Sequence, residues 1–234
     1  INISENIKLI KSSVAEAAIK SGRNPEDVRL MAVTKTVSFD KINFALDNCG
    51  IDLIGENKVQ EFLSKKDELH LDGVEKHLIG HLQTNKIKYM ASYVAMIHGV
   101  GSFKLLIEIN KQAAKVGRII PCLLQIHIAQ EETKFGFSFE ECKAMLMAGE
   151  WKSLKNISLC GIMGMATNTE DEEEIRKEFQ SLRNFFQEIK QGFFSEDSAF
   201  KEISMGMSDD YPLAIEYGST LIRIGSRIFG NRNY

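Results

Sequence analysis

The sequence predicts an α/β protein built as a single (β/α)8 TIM barrel, with one extra helix before the first strand. Eight short apolar runs alternate with amphipathic segments along the 234 residues, as in parallel strands joined by helices. Eight such units in a chain of this length fit a closed barrel better than an open sheet. No linker rich in proline, glycine or serine divides the chain, so one domain is expected over residues 1–234.

The elements follow from the spacing of apolar residues. Residues at helical spacing between Ile3 and Ala18 predict the extra helix, which Gly22 ends. Helices are expected between consecutive strands, including 83–92 after strand three and 209–217 after strand seven. An open α/β sheet is the alternative, but the first βα turn lacks a GxGxxG pattern. The strands are predicted at 30–35, 52–57, 75–81, 94–100, 119–129, 158–165, 201–207 and 220–225.

Composition excludes several classes of function. The formal net charge of −3, with no basic stripe, argues against a nucleic-acid partner. No apolar run approaches the roughly 18 residues of a membrane span, and the N-terminus lacks a signal-peptide pattern, so we expect a cytoplasmic protein without a membrane partner. The four cysteines are widely spaced, which predicts unpaired thiols and no metal site.

Lys35 ends the first apolar run, and a helix is predicted to begin within a few residues. An amine at the C-terminal end of a barrel strand lies on the face where these folds bind ligands. On spacing alone, Lys35 could equally be a charge that leans into solvent.

Turns of small residues follow strands seven and eight. Gly206 and Gly225 allow the backbone to come close to a ligand, and Ser204 and Ser226 add hydroxyl groups, while Ser208 is expected to cap the next helix. Backbone N–H groups at these turns commonly hold phosphate in this fold. Two ordinary tight turns are the alternative.

Arg223 lies in an apolar run and is predicted to point into the barrel, opposite to Ile222 and Ile224. A buried guanidinium needs an acceptor, because an unpaired buried charge costs several kcal/mol. Its acceptor is either a carboxylate such as Glu56 or an atom of a ligand.

Lys35, the phosphate turns and Arg223 together match the needs of pyridoxal 5′-phosphate. This cofactor needs an amine for its aldehyde, a phosphate site and a partner for its ring nitrogen. A class I aldolase that acts on a phosphorylated sugar needs only the first two and is an alternative.

Five motifs resemble those of the pyridoxal phosphate homeostasis proteins, the YggS/PROSC family, over nearly the whole chain. The family is similar to the barrel domain of alanine racemases, which implies a (β/α)8 fold that binds pyridoxal phosphate. The motifs, in the family's order, are AVTKT (32–36), GENKVQE (55–61), HLIGHLQTNK (77–86), SMGMSDD (204–210) and RIGSRIFG (223–230).

The resemblance also implies the binding residues. Lys35 would hold the cofactor as a Schiff base, and Arg223 would donate to its ring nitrogen. The stretch 132–136 resembles the family's loop after strand five, with Thr133 where serine is common. The remaining implied contacts are those of Ser204, Gly206, Gly225 and Ser226 with the phosphate, and those of Asn57 and His81 near the ring.

A carrier is favoured over an enzyme. Arginine donates to the pyridine nitrogen and leaves it unprotonated, so the ring withdraws electrons weakly. A two-base racemase needs a second acid/base on the face opposite the lysine. Alanine racemases supply a tyrosine for this from a β-domain beyond the barrel. That domain is expected to be missing here, because the sequence ends at Tyr234. Residues 163–166, at the tip of strand six, do not titrate, and a lone His81 is more often structural.

We therefore expect a protein that stores or delivers pyridoxal phosphate on Lys35 within the cell, with no catalytic residue and no efficient turnover. A slow racemase that uses Lys35 as its single base is one alternative, and a Schiff-base aldolase is another. Apo-enzymes that need the cofactor are expected as recipients, and a monomer or a weak dimer is compatible with the sequence. The acidic run 170–174 is expected to begin a helix, with a docking patch as the alternative.

Overall fold

The computed structural model describes residues 1–132 and 135–231. Within them, eight parallel strands close into a barrel in which each strand pairs with its neighbours in chain order and the last pairs with the first. The predicted (β/α)8 fold is therefore confirmed. The strands are β1 (Arg29–Val33), β2 (Leu53–Glu56), β3 (Glu75–Leu78), β4 (Met96–Val100), β5 (Ile120–Gln125), β6 (Ile157–Met163), β7 (Glu202–Ser204) and β8 (Leu221–Ile224).

Helices surround the barrel, and the extra N-terminal helix is present. Its Asn2 cap accepts from the backbone N of Glu5 at 3.0 Å, and the helix packs against the two last helices of the described chain. The α-helices are α1 (Ile3–Lys20), α2 (Phe39–Asn48), α3 (Val59–Lys65), α4 (Phe103–Lys115), α5 (Phe139–Ala148), α6 (Glu172–Phe193), α7 (Tyr211–Glu216) and α8 (Ser226–Phe229).

The connection between β3 and β4 differs from the predicted α-helix over 83–92. It contains a 3-10 helix, Thr84–Tyr89, followed by turns. Ile87 and Met90 are both fully buried and lie three residues apart, which is the period of a 3-10 helix. A short tight segment therefore buries the apolar residues here.

Several strands end earlier than predicted. β7 ends at Ser204 because the chain turns at Gly206, whose φ is 102°. β5 ends at Gln125, and Ile126 forms only an isolated bridge with Phe137. The residues after these strands leave the ladder and form the C-terminal face of the barrel.

The strands alternate between an outer face that packs on the helices and an inner face. Ile222 and Ile224 of β8 belong to the outer core with α1 and α2. Buried polar side chains share the barrel interior with a small apolar cluster. That cluster contains Met31, Leu53, Leu123, Cys160, Met163 and Leu221.

The acidic run begins α6, as expected. Asp171 caps this helix by accepting from the backbone N of Glu173 at 3.1 Å, and carboxylates suit the N-terminal end of a helix. None of the helices in the described part of the chain has the length and apolar character needed to cross a membrane.

A substitution at Gly161 tests the close packing of β6 on β7. Its φ is 151°, and a Cβ there would lie 1.9 Å from the carbonyl oxygen of Glu202. We expect Gly161→Ala to lower the free energy of unfolding by about 3 kcal/mol, because the strands must separate.

Gly192→Ala in α6 is the matched control, since a Cβ there meets nothing within 4 Å. It should raise the free energy of unfolding by about 0.5–1 kcal/mol through better helix propensity. Urea unfolding measures both variants, and equal stability of the two would contradict the packing described.

Candidate binding site at the C-terminal face of the barrel

Lys35 lies in the turn that follows β1. The backbone N of Val37 donates to the carbonyl of Thr34 at 3.1 Å, and Thr36 within this turn has a φ of 60°. A positive φ costs a residue with a Cβ about 1–2 kcal/mol. The turn that presents Lys35 therefore needs support from outside.

Lys65 of α3 and Glu61 supply that support. The Nζ of Lys65 donates to the carbonyl of Thr34 at 2.8 Å and to the carboxylate of Glu61 at 2.9 Å. The same carboxylate accepts from the backbone N of Thr36 at 2.9 Å. One ammonium and one carboxylate thus hold the turn on both sides of Lys35.

Glu56 completes this group and is not the partner of Arg223. Its carboxylate lies 3.1 Å from the Nζ of Lys65 and accepts from the hydroxyl of Thr34. Burial raises the pKa of Glu56, and Lys65 opposes that rise. Gly55 contacts Met31 inside the barrel, so strand alternation turns Glu56 outward, towards α3.

Arg223 points into the barrel, as predicted. Its side chain is 4% exposed, and it donates to the hydroxyl of Ser204 and, at 3.2 Å, to the carbonyl of Gly164. Burial lowers the pKa of Arg223 to about 10, with Asp210 opposing the shift. The guanidinium therefore keeps its charge at neutral pH.

Ser204, a predicted phosphate contact, has its hydroxyl inside the barrel. Ser204 is fully buried, and its hydroxyl lies between Arg223 and His98, whose Nδ1 is 2.8 Å away. This hydroxyl therefore already has two polar partners among the described residues.

Ser208, a residue expected only to cap a helix, has its hydroxyl at the turns. It accepts from the backbone N of Arg227 at 3.4 Å, which joins the turn after β7 to the start of α8. α7 begins at Tyr211 without a side-chain cap. Because Ser208 immediately precedes the Asp-Asp-Tyr-Pro start of that helix, its place in the sequence already indicated a turn.

Gly206, Gly225 and Ser226 lie where they were predicted. A Cβ on Gly206 would come within 2.7 Å of the Cβ of Ala214, so the packing of α7 already requires glycine at this position. The carbonyl of Gly206 accepts from the backbone N of Arg223 at 2.9 Å. Gly225 is buried and precedes the exposed Ser226, the first residue of α8.

Asn57 and His81 lie on the turns after β2 and β3. The Oδ1 atom of Asn57 is buried without a hydrogen-bond partner in the described part of the chain, which is unusual for a polar atom. The ring of the exposed His81 lies 4.6 Å from that of Phe135. Thr133, in the loop after β5, falls outside the described residues.

This face can accept an anionic ligand that carries a reactive carbonyl group. It combines the amine of Lys35, the buried cation of Arg223 and the unsatisfied amide oxygen of Asn57. The turns that Ser208 links offer a hydroxyl and backbone groups of small residues.

Comparisons with known proteins agree with this reading of the fold. The family model described as alanine racemase, N-terminal domain, matches residues 3–233. The pyridoxal phosphate homeostasis protein of Aquifex aeolicus is 35% identical over 235 residues, which cover all of both chains. The chain belongs to the pyridoxal phosphate homeostasis protein family. The member from Escherichia coli strain K12 is 33% identical over 239 residues, covering all of this chain and 98% of that one.

Two solved structures whose chains are covered almost completely by this one share its architecture. PipY of Synechococcus elongatus, described as having PLP bound, has a TM-score of 0.79 and 31% identity over 93% of this chain and all of that one. A Bifidobacterium adolescentis protein of unknown function has a TM-score of 0.89 and 32% identity over 97% and 94% of the two chains.

The alanine racemase of Clostridium difficile has a TM-score of 0.73 at 14% identity, which shows the fold alone. This chain covers 60% of that racemase, with 98% of its own length aligned. The pyridoxal phosphate homeostasis proteins of Aquifex aeolicus and Escherichia coli are instead covered almost completely.

Lys65→Met tests the support of the Lys35 turn. It leaves the buried carboxylate of Glu56 without a cation, and breaking a buried pair in this way typically costs about 3–5 kcal/mol. Urea unfolding should show such a loss. Adding Glu56→Gln should recover part of it, because the two residues are directly coupled.

The matched control is Lys66→Met, a neighbouring lysine that is exposed. Its free energy of unfolding should stay within about 0.5 kcal/mol of the unmodified protein. A loss for Lys65→Met no larger than that of this control would contradict the supporting role.

Proposed function

We propose that this chain binds pyridoxal 5′-phosphate at the C-terminal face of the barrel and holds it reversibly on Lys35, so that it stores or delivers the cofactor. The observation that carries the proposal is the buried, charged Arg223 on the same barrel face as an amine-bearing turn. The similarity of this chain to PipY over 93% of its length supports it, because PipY is described with PLP bound.

The residues of this face fit the cofactor. Bound pyridoxal phosphate supplies an aldehyde that condenses reversibly with an amine, and a ring that withdraws electrons. Lys35 provides the amine, and Asn57, whose buried Oδ1 lacks a partner in the described part of the chain, provides a polar contact beside the ring. His81, with its ring against Phe135, forms the edge of the site.

The phosphate is assigned to the two joined turns. Ser208 and Ser226 supply hydroxyl groups, while Gly206 and Gly225 let the backbone approach. In this assignment Ser208 replaces Ser204, whose hydroxyl is committed to Arg223 and His98 inside the barrel.

Arg223 favours holding the cofactor over transforming it. A guanidinium cannot readily give up its proton, so it donates to the ring nitrogen and leaves that nitrogen unprotonated. Burial lowers the pKa of Arg223 only to about 10, and the group stays a donor at neutral pH. A ring with an unprotonated nitrogen stabilises a carbanion less well than a protonated one.

No efficient turnover is proposed. The tip of β6 consists of Met163, Gly164, Met165 and Ala166, and none of these side chains can move a proton. A slow racemase that uses Lys35 alone is the second candidate, because the family model that matches the chain is that of the alanine racemase N-terminal domain. Apo-enzymes that need the cofactor are the proposed recipients.

Titration of the protein with pyridoxal phosphate, followed by visible absorbance, tests the binding role. Lys35→Ala should abolish the visible band of the bound cofactor and raise its Kd at least tenfold, or about 1.4 kcal/mol. Lys58→Ala, which removes an exposed lysine beside the β2 turn, should bind like the unmodified protein. A visible band that survives in Lys35→Ala would contradict the proposal.

Proton exchange at the α-carbon of L-alanine in deuterated water, measured by NMR with the loaded protein, separates the carrier from the racemase. A carrier should exchange this proton no faster than a mixture of free cofactor and Lys35→Ala protein. Rapid exchange that Lys35→Ala abolishes would establish the racemase instead.

A further inference from the structure

A chain of hydrogen-bonded side chains crosses the barrel interior and ends at Arg223. The guanidinium donates to Ser204, whose hydroxyl lies 2.8 Å from Nδ1 of His98. Nε2 of His98 lies 2.9 Å from Nδ1 of His77, and Nε2 of His77 lies 3.4 Å from the carboxylate of Glu75. The chain draws on β8, β7, β4 and β3.

The middle of this series of hydrogen-bonded side chains is buried, and its end at Glu75 is exposed to solvent. Ser204 and His98 are fully buried, and His77 is 3% exposed. Glu75 begins β3 at the N-terminal rim, where it forms a 2.7 Å ion pair with Arg29. The chain therefore spans the barrel from one rim to the ligand face.

The two ends of the chain determine the direction of its hydrogen bonds at neutral pH. The carboxylate of Glu75 only accepts, so in the neutral form of His77 the proton is on Nε2 and Nδ1 accepts. His98 must then donate from Nε2 and accept at Nδ1 from the hydroxyl of Ser204. That hydroxyl oxygen is left to accept from Arg223, a group that only donates.

The charges around the chain agree with this direction. Burial holds the pKa of His98 well below its usual range, so His98 is neutral. The hydrogen bond from His77 and the pairing with Arg29 lower the pKa of Glu75 to about 2, so the carboxylate stays charged. The charge of the Asp210 carboxylate acts on Arg223 and opposes the fall in its pKa.

We propose that Ser204, His98 and His77 form a positioning relay, anchored at Glu75, that fixes the orientation of the Arg223 guanidinium towards the ligand. This inference rests on the proposed function, in which Arg223 meets the ring nitrogen. A guanidinium at the end of a flexible side chain is otherwise free to rotate, and a single preset orientation lowers the entropy lost on binding. The relay residues act through Arg223 and need not touch the ligand.

Nitrogen-15 NMR of the histidine side chains tests the relay in the protein without added cofactor. At neutral pH, His98 should carry its proton on Nε2, with Nδ1 unprotonated, and acidification through the usual histidine range of about pH 5–8 should leave it uncharged. A proton on Nδ1 of His98, or its titration in that range, would overturn the relay.

Ser204→Ala and Ser204→Thr test its effect on binding. Loss of the hydroxyl should raise the Kd for pyridoxal phosphate about tenfold, whereas threonine, which keeps the hydroxyl, should restore affinity to within about threefold. His98→Leu should weaken binding as Ser204→Ala does. His70→Ala is the control, because His70 is an exposed histidine paired with Asp47, and it should leave the Kd unchanged.

Thermal unfolding of each variant separates positioning from a purely structural role. A structural role predicts variants that unfold at lower temperature but bind as tightly as the unmodified protein once folded, and that result would overturn the relay. If the unmodified protein fails to bind pyridoxal phosphate, the proposed function fails, and the NMR experiment still decides the relay. Unchanged affinity in Ser204→Ala would refute the relay and leave the binding function intact.

Discussion

The charge of Arg223 inside the barrel is the constraint on which the rest of the site depends. A buried guanidinium must be paired or hydrogen-bonded, since an unsatisfied charge costs several kcal/mol. In the described part of the chain its acceptors are a hydroxyl and a carbonyl, and Asp210 opposes the fall in its pKa that burial causes. Under the proposed function, the ring nitrogen of pyridoxal phosphate is a further acceptor. The same constraint explains why polar side chains such as Ser204 and His98 share the barrel interior with an apolar cluster.

A second constraint acts on the opposite side of the face. Lys35 lies in a turn whose next residue, Thr36, has a left-handed backbone, and such a conformation needs support from other elements. Lys65 and Glu61 anchor the turn from α3. On both sides of the candidate site, charged or polar groups from other elements bond to the region that carries a cation. That cation is Arg223 on one side and Lys35 on the other.

The sequence predicted the barrel because eight apolar runs leave few other ways to bury both faces of parallel strands. It also predicted the inward direction of Arg223, which follows from alternation beside two isoleucines. It did not show the contacts between residues far apart in sequence. Glu56 pairs with Lys65, and the hydroxyl of Ser204 bonds to Arg223 and His98. Strand alternation could have shown the outward direction of Glu56, but the pairing of residues far apart in sequence, such as His98 with Ser204, has no local signal.

The most direct test of the central claim is to find which residue holds the cofactor. Incubation with pyridoxal phosphate, reduction with borohydride and peptide mass spectrometry would locate the adduct. We expect a stoichiometric adduct on Lys35 that Lys35→Ala removes and that excess free amino acid displaces before reduction. A dominant adduct on another lysine, such as Lys58 or Lys65, or labelling spread over exposed lysines would contradict it.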